Sequence, residues 1–223
     1  MLSISEKSIC KECSEEFLKP IYKRGFMKNT IYNVICEGTS EENYIKEINK
    51  FFRENSINVS LYPINVGNGS FSQVYKKFKK VKSTNKNQEV VIWVDGDIYK
   101  RNKNEKKQYD ERKKSVPDFK FNKYNFEDMI VLHLSDDKID QWNNICIQNN
   151  HFNIPMTSEV YIPLFRTNII ENYEKGNFPL EIFDTNTIWD AIRNNDDINI
   201  NFHSDFLSFI QEILEESNFN ITQ

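Results

Sequence analysis

The spacing of apolar residues changes period along the chain. Ile31 to Cys36 is a short, β-branched apolar run that ends in Glu37-Gly38, the pattern of a buried strand stopped by a turn. Beyond it Tyr44, Ile45, Ile48, Phe51 and Phe52 recur at steps of three and four, which places them on one face of a helix. Ser40 stands where it can cap that helix, and Glu41 and Glu42 fall in its first turn, where acids complement the dipole. Glu41 and Glu42 are therefore read as helix-start residues. Val59 to Val66 predicts a second strand and Gly67 to Ser70 a loop. Phe71, Val74, Tyr75, Phe78 and Val81 predict a second helix, whose solvated face carries Lys76, Lys77, Lys79, Lys80 and Lys82. Glu89 to Val94 predicts a third strand, buried on both faces by its unbroken apolar run.

Residues 99–116 are almost wholly polar and read as a charged loop or exposed helix. Phe119 to Phe121 suits a short edge strand, and Asn125 to Leu134 the start of a buried helix. From Asp136 the texture turns helical, with apolar spacing around Ile139, Trp142, Ile145 and Cys146, then Tyr161–Ile170, Thr187–Ile192 and Phe202–Leu214. Strands alternating with helices imply βαβ units and a mainly parallel sheet flanked by helices. The expected organisation is a helical lead-in over 1–29, an α/β domain over 30–134, and a helical lobe over 135–223 packed on it.

Composition supports a globule. Of 223 residues 39% are apolar, and 17 Phe, 10 Tyr and 3 Trp supply bulky core material, so no staples are needed. The polar start gives no signal peptide, and no apolar run nears the roughly 20 residues of a membrane helix. A cytoplasmic location and free thiols are expected, with no membrane partner. Cys10 and Cys13 have the spacing of half a zinc site, but the other half is missing. The net charge of -4 is unevenly spread. Residues 134–223 hold 4 Lys/Arg against 15 Asp/Glu, and the preceding residues 25 against 18. Only the first part is suited to face a polyanion.

The chemistry concentrates at two strand ends. Glu37 closes the first strand, and Asp95-Gly96-Asp97 closes the third. In open parallel sheets the carboxyl ends of strands border the ligand crevice. Clustered carboxylates repel unless a cation neutralises them, and hard oxygen ligands suit Mg²⁺ or Mn²⁺. In a continuing strand Asp95 and Asp97 would share a face, with Gly96 letting the backbone bend toward a ligand. Glu127 is either a fourth metal ligand or a first-turn acid serving the helix dipole. His133 reads as a core histidine, and His151 and His203 as isolated surface residues.

Glu37-Gly38-Thr39-Ser40-Glu41-Glu42-Asn43-Tyr44-Ile45 resembles the opening motif of TOPRIM domains, and Val94-Asp95-Gly96-Asp97 their Asp-x-Asp motif. The resemblance covers about residues 30–134. Within that group, Asn125-Phe126-Glu127-Asp128 followed by Ile130-Val131-Leu132-His133 is similar to the later motif of RloB-like proteins. A related resemblance is to the TOPRIM subunit of the phage-defence system PARIS. It implies a TOPRIM-like (Rossmann-like) fold and metal-dependent phosphoryl chemistry, with Glu37 as acid/base or ligand and Asp95 and Asp97 holding the metal.

A chain of this length has no room for topoisomerase or primase modules, so a nuclease acting on DNA or RNA, tRNA included, is the expected activity, as an antiphage, abortive-infection effector. Lys100 and Arg101 would stabilise transition-state charge. Lys100, Arg101, Lys103, Lys106, Lys107, Arg112, Lys113 and Lys114 are the expected nucleic-acid contacts. With no phosphate loop in the chain, the partner ATPase would be separate. A homodimer is left open. The alternatives are a non-catalytic regulator that binds that partner, and, on the weaker signal of Gly67-Asn68-Gly69-Ser70, a nucleotide-binding α/β domain.

Overall fold

The computed structural model describes residues 29–67, 70–84, 88–116, 119–176, 179 and 183–217. The helical lead-in expected over 1–29 lies outside them in all but Asn29, and so does the Cys10/Cys13 pair. Four strands form one sheet: β1 (Thr30–Cys36), β2 (Val59–Asn65), β3 (Glu89–Asp95) and β4 (Phe119–Asn122). Their order is β2-β1-β3-β4 and every pairing is parallel. The expected α/β class with helices on both faces is what the chain adopts.

Two helices explain the sheet's topology. Helix α1 (Thr39–Glu54) carries the chain from β1 outward to β2. Helix α2 (Phe71–Thr84) then brings it back past β1 to β3. Right-handed crossovers running in opposite directions put the two helices on opposite faces. Strand residues alternate accordingly. Val34, Cys36, Val91 and Trp93 enter the core on the α1 face. Ile35, Val90, Ile92 and Val94 enter the core on the α2 face. Short helix α3 (Asp97–Arg101) and the exposed α4 (Lys103–Arg112) follow β3, and a 3-10 turn, Lys113–Ser115, ends that segment.

Five further helices pack on the α1 face: α5 (Phe126–Val131), α6 (Asp136–Gln148), α7 (Ser158–Asn168), α8 (Thr185–Asn195) and α9 (Asp205–Glu216). One apolar cluster runs without a break from the sheet through α1 into these helices. Trp93 anchors it, stacked on Phe206 with centroids 3.9 Å apart. Leu207, Phe209, Ile210, Ile213 and Leu214 of α9 join Phe206 in that cluster, so α9 is held by its whole apolar face.

Both outer strands have some of their outward backbone groups taken. On β2 the Asn49 side chain of α1 accepts from Leu61 N–H (2.8 Å) and donates to Leu61 O (2.7 Å). Two residues on, Pro63 has no N–H to offer. On β4 the Asp205 carboxylate accepts from Phe121 N–H (3.1 Å), and His203 O from Lys123 N–H (2.7 Å).

Three local expectations need correcting. Asp97 is not in the strand: it opens α3, because the chain turns at Gly96. Gly96 also does not bend toward a ligand. Its N–H donates to Asn122 O at 2.8 Å, and a Cβ there would lie 2.8 Å from the carbonyl oxygens of both Asn122 and Lys123. Glycine is needed for that close approach to the end of β4. Ser40 does not cap α1 either: Gly38 is the N-cap residue, and Ser40 Oγ instead accepts from Gly176 N–H at 3.0 Å.

Candidate metal centre

The crevice between β1 and β3 is where the connections leave in opposite directions, β1 toward β2 and β3 toward β4. Such switch points, at the carboxyl ends of strands, are where open α/β sheets bind ligands. The sequence puts Glu37 just past the end of β1 and Asp95 at the end of β3. A cavity of about 370 Å³ opens there. Carboxylate oxygens of Glu37, Glu41 and Asp95 all lie within 4.8 Å of one another in it. Asp97, Glu127, Arg101 and Lys175 complete the charged lining.

Each carboxylate is held by a local device. Asp95 N–H donates to Glu37 Oε1 at 3.1 Å, tying one strand end to the other. Asp95 Oδ1 accepts from Asn122 Nδ2 at 2.9 Å. Asn122 is itself fixed, because its Oδ1 accepts from the Trp93 indole (3.0 Å) and from Ser204 Oγ (2.8 Å). Asp97 is ion-paired one helical turn on with Arg101. Glu127, in the first turn of α5, accepts from the Tyr173 phenol at 2.8 Å through Oε1. Its Oε2 has no hydrogen bond of good geometry among the described residues, although the Tyr161 phenol is close enough to help hold the charge.

Electrostatics follow from burying so many acids together. Burial, then Glu41 and Asp97, raises the Glu37 carboxyl to about 8, against the pull of Asp95 N–H and Lys175. Burial and Glu127 raise Glu41 to about 7. Asp95 is pushed well up by burial and by Glu37, Glu41 and Asp97. Glu127 is raised by burial. Each of these carboxyls is held above its ordinary range by burial, with its acidic neighbours adding to the shift at Glu37, Glu41 and Asp95, and a cation among them would offset both effects. The donor set is all oxygen, open on one side, and partly satisfied by fixed donors. It fits a hard divalent ion such as Mg²⁺ or Mn²⁺. The buried, half-partnered Glu127 carboxylate adds a further oxygen facing the same space.

The sequence reading placed Glu37, Asp95, Asp97 and Glu127 together, and the structure does so too. It missed Glu41, taken for a helix-start acid. Glu41 is the third residue of α1 and is buried. Its carboxyl turns back toward Gly38, as an N3 glutamate does in a capping box, and so reaches the cavity. Glu42 is a helix-start acid as expected, paired with Lys46 at 2.9 Å. Also missed was Lys175, one of only four cations in residues 134–223. It lines the cavity and its Nζ donates to the Tyr161 phenol at 3.0 Å. No local pattern marks Lys175, which reaches the site only through tertiary folding.

Of the basic residues expected to contact nucleic acid, Arg101 alone lines the cavity with the acids. Lys100 does not: its Nζ donates to Lys123 O at 2.6 Å and sits 3.5 Å from the centre of the Tyr124 ring. The expected role of Lys100 beside the reacting phosphate is thus not what the geometry provides. Lys103 and Lys107 are exposed on α4. Lys106 and Lys113 share Asp110, Lys107 faces Glu111 at 3.9 Å, and Arg112 lies over the Tyr75 ring. Lys114 is exposed in the 3-10 turn.

The histidines divide differently from expectation. His133 is a core residue, with Nε2 3.1 Å from the Tyr44 hydroxyl, and burial lowers it to about 3. His151 is not on the surface but fully buried. It forms a second cluster with Asp128 and Cys146. Both ring nitrogens of His151 and both carboxylate oxygens of Asp128 are engaged. Met156 N–H donates to His151 Nδ1, so Nε2 carries the proton and faces Asp128, which also accepts from the Trp142 indole. His151 and Asp128 are thus partnered with each other and with their neighbours inside the core. His203 is half-buried and paired with Asp205. No helix among the described residues is long and apolar enough to cross a membrane. No family model, no curated protein and no solved structure matches the chain.

Proposed function

We propose that the chain is a divalent-metal-dependent nuclease. The observation that carries this reading is the convergence of Glu37, Glu41 and Asp95, with their oxygens within 4.8 Å, at the switch point of the sheet. Glu37, Glu41 and Asp95 would hold Mg²⁺ or Mn²⁺, with Asp97 and Glu127 at the margin. When bound, the ion supplies Lewis acidity and neutralises charge on a phosphodiester. Arg101 and Lys175 flank the carboxylates and provide cations for a phosphate that the acids alone would repel. Tyr173 and Asn122 keep Glu127 and Asp95 in place without themselves facing the substrate. The exposed lysines of α4 offer backbone contacts to a longer strand.

The TOPRIM-like motifs of Glu37–Ile45 and Val94–Asp97 support the same chemistry. They also support an antiphage effector role alongside a separate ATPase. The test is cleavage of end-labelled single- and double-stranded DNA and of RNA, tRNA included, with Mg²⁺, Mn²⁺ or chelator. Glu37→Ala and Asp95→Ala should abolish metal-dependent cleavage. If the wild type binds no divalent ion at millimolar concentration while folded, the alternative of a non-catalytic regulator takes its place.

A further inference from the structure

A second cavity, of about 490 Å³, shares a wall with the first. The short helix α3 divides them: Asp97, Ile98 and Arg101 line one, Tyr99 and Lys100 the other. The second has the opposite chemistry. Its floor is aromatic, with Tyr99 and Tyr109 set edge-on to Phe121 at centroid distances of 5.4 and 5.5 Å. Its rim is cationic, with Lys100, Lys106, Lys123 and His203. The two acids on the rim are already engaged. Asp110 serves Lys106 and Lys113, and Asp205 serves His203 and the Phe121 amide.

Sites for small organic ligands are mostly apolar, span about 300–1,000 Å³, and carry a few converging polar groups. This cavity fits that description and the carboxylate cavity does not. Among the described residues Lys123 forms no ion pair, while Lys106 and His203 face Asp110 and Asp205, and Lys100 is held by Lys123 O and the Tyr124 ring. Burial and the neighbouring Lys123 lower the Lys100 ammonium to about 8, so a negative group between the two would relieve both effects. Aromatic faces beside ammonium groups suit a base and its phosphate, because stacking accepts any base and the cations take the charge.

The geometry points to a nucleotide-binding site here, with the base against Tyr109 and Phe121 and the phosphate between Lys100, Lys123 and His203. The ligand is one nucleotide unit, either free or part of a strand. The site shares no lining residue with the carboxylate cavity, and the assignment is independent of the metal reading.

Calorimetry on the whole chain in chelator tests it, with AMP, inorganic phosphate and a single-stranded trinucleotide as probes. AMP or the trinucleotide should bind saturably. Lys123→Glu and, separately, Lys106→Glu, both at exposed positions, should weaken that binding by at least about tenfold, the scale of one charged hydrogen bond. Lys50→Glu, an exposed charge reversal that lines neither cavity, should leave it unchanged. AMP binding as tightly as the trinucleotide assigns a free nucleotide, and trinucleotide binding alone assigns a strand. Three results would overturn the site: no saturable binding by either nucleotide probe, phosphate binding as tightly as AMP, or binding that survives both lysine variants.

Discussion

Asp95 donates its backbone N–H to Glu37 Oε1 across 3.1 Å, so the last residue of β3 positions the carboxylate that follows β1. The contact makes the site a property of the strand pairing. Whatever holds β1 beside β3 also holds the two acids together, and the Trp93–Asn122–Asp95 chain extends that control to β4 and to Ser204.

Glu41 should behave as a ligand and Glu42 should not. Glu41→Gln is expected to weaken Mn²⁺ binding by at least about tenfold, given the size of a short-range charge interaction in a partly buried site. Glu42→Gln, which touches only the partner of Lys46 and Asn65 outside the cavity, should bind Mn²⁺ like the wild type. Titration calorimetry on both variants decides this. Equal affinities would return Glu41 to the role of a helix-start acid.

Metal-free stability should fall as pH rises. In the folded chain Glu37 and Glu41 keep their protons to about 8 and about 7, against 4.5 ordinarily. Between pH 4.5 and 8 the folded state therefore binds more protons than the unfolded one, and the free energy of unfolding decreases with pH. This contribution is fully present below 4.5 and lost above about 8. Thermal unfolding in chelator should show the decline across pH 5.5–8.5, and Mn²⁺ should remove much of it. Glu37→Gln should have a shallower slope than the wild type; superimposable slopes would contradict the assignment.

Gly96→Ala should destabilise the fold by about 1–3 kcal/mol, the usual penalty for forcing an extra methyl into a filled space. The methyl would meet the carbonyl oxygens of Asn122 and Lys123, which are backbone atoms and cannot swing aside. A urea titration with an unchanged slope and a lower midpoint is the expected result. An unshifted midpoint would mean that the end of β4 moves freely.

Asn122→Ala should cost about 1–3 kcal/mol, because three buried groups lose one partner together. Ser204→Ala should cost about 1 kcal/mol or less, since Asn122 Oδ1 keeps the Trp93 indole. Only Asn122→Ala should also weaken Mn²⁺ binding, through a looser Asp95. Denaturant melts paired with calorimetry separate the two effects.

Much of this was readable in the chain because β1 and β3 are buried on both faces. Val34 to Cys36 and Val90 to Val94 must all be apolar, and such runs stand out. The carboxylates after them stand out by contrast. Glu41 was not readable, because a first-turn acid looks the same whether it faces solvent or folds back beneath its own helix. His151 lies in a polar stretch, and only the packing of α6 and the following loop makes it a core residue. Lys175 and Tyr173 reach the site from far along the sequence, by a route that no local pattern encodes. Asp97 was placed on the wrong element because the chain leaves the sheet at Gly96, a turn dictated by the neighbouring strand rather than by the local sequence.

The Asn49 clasp on Leu61, the imino nitrogen of Pro63 and the Asp205 clasp on Phe121 have a consequence for how this molecule can meet others. Neither rim of the sheet offers a continuous ladder for a foreign strand to extend. Exchange of strands between copies, and the fibrillar growth that follows it, lack their starting template along these rims. Along these rims a second copy or another protein would have to be met through side chains rather than through an added strand.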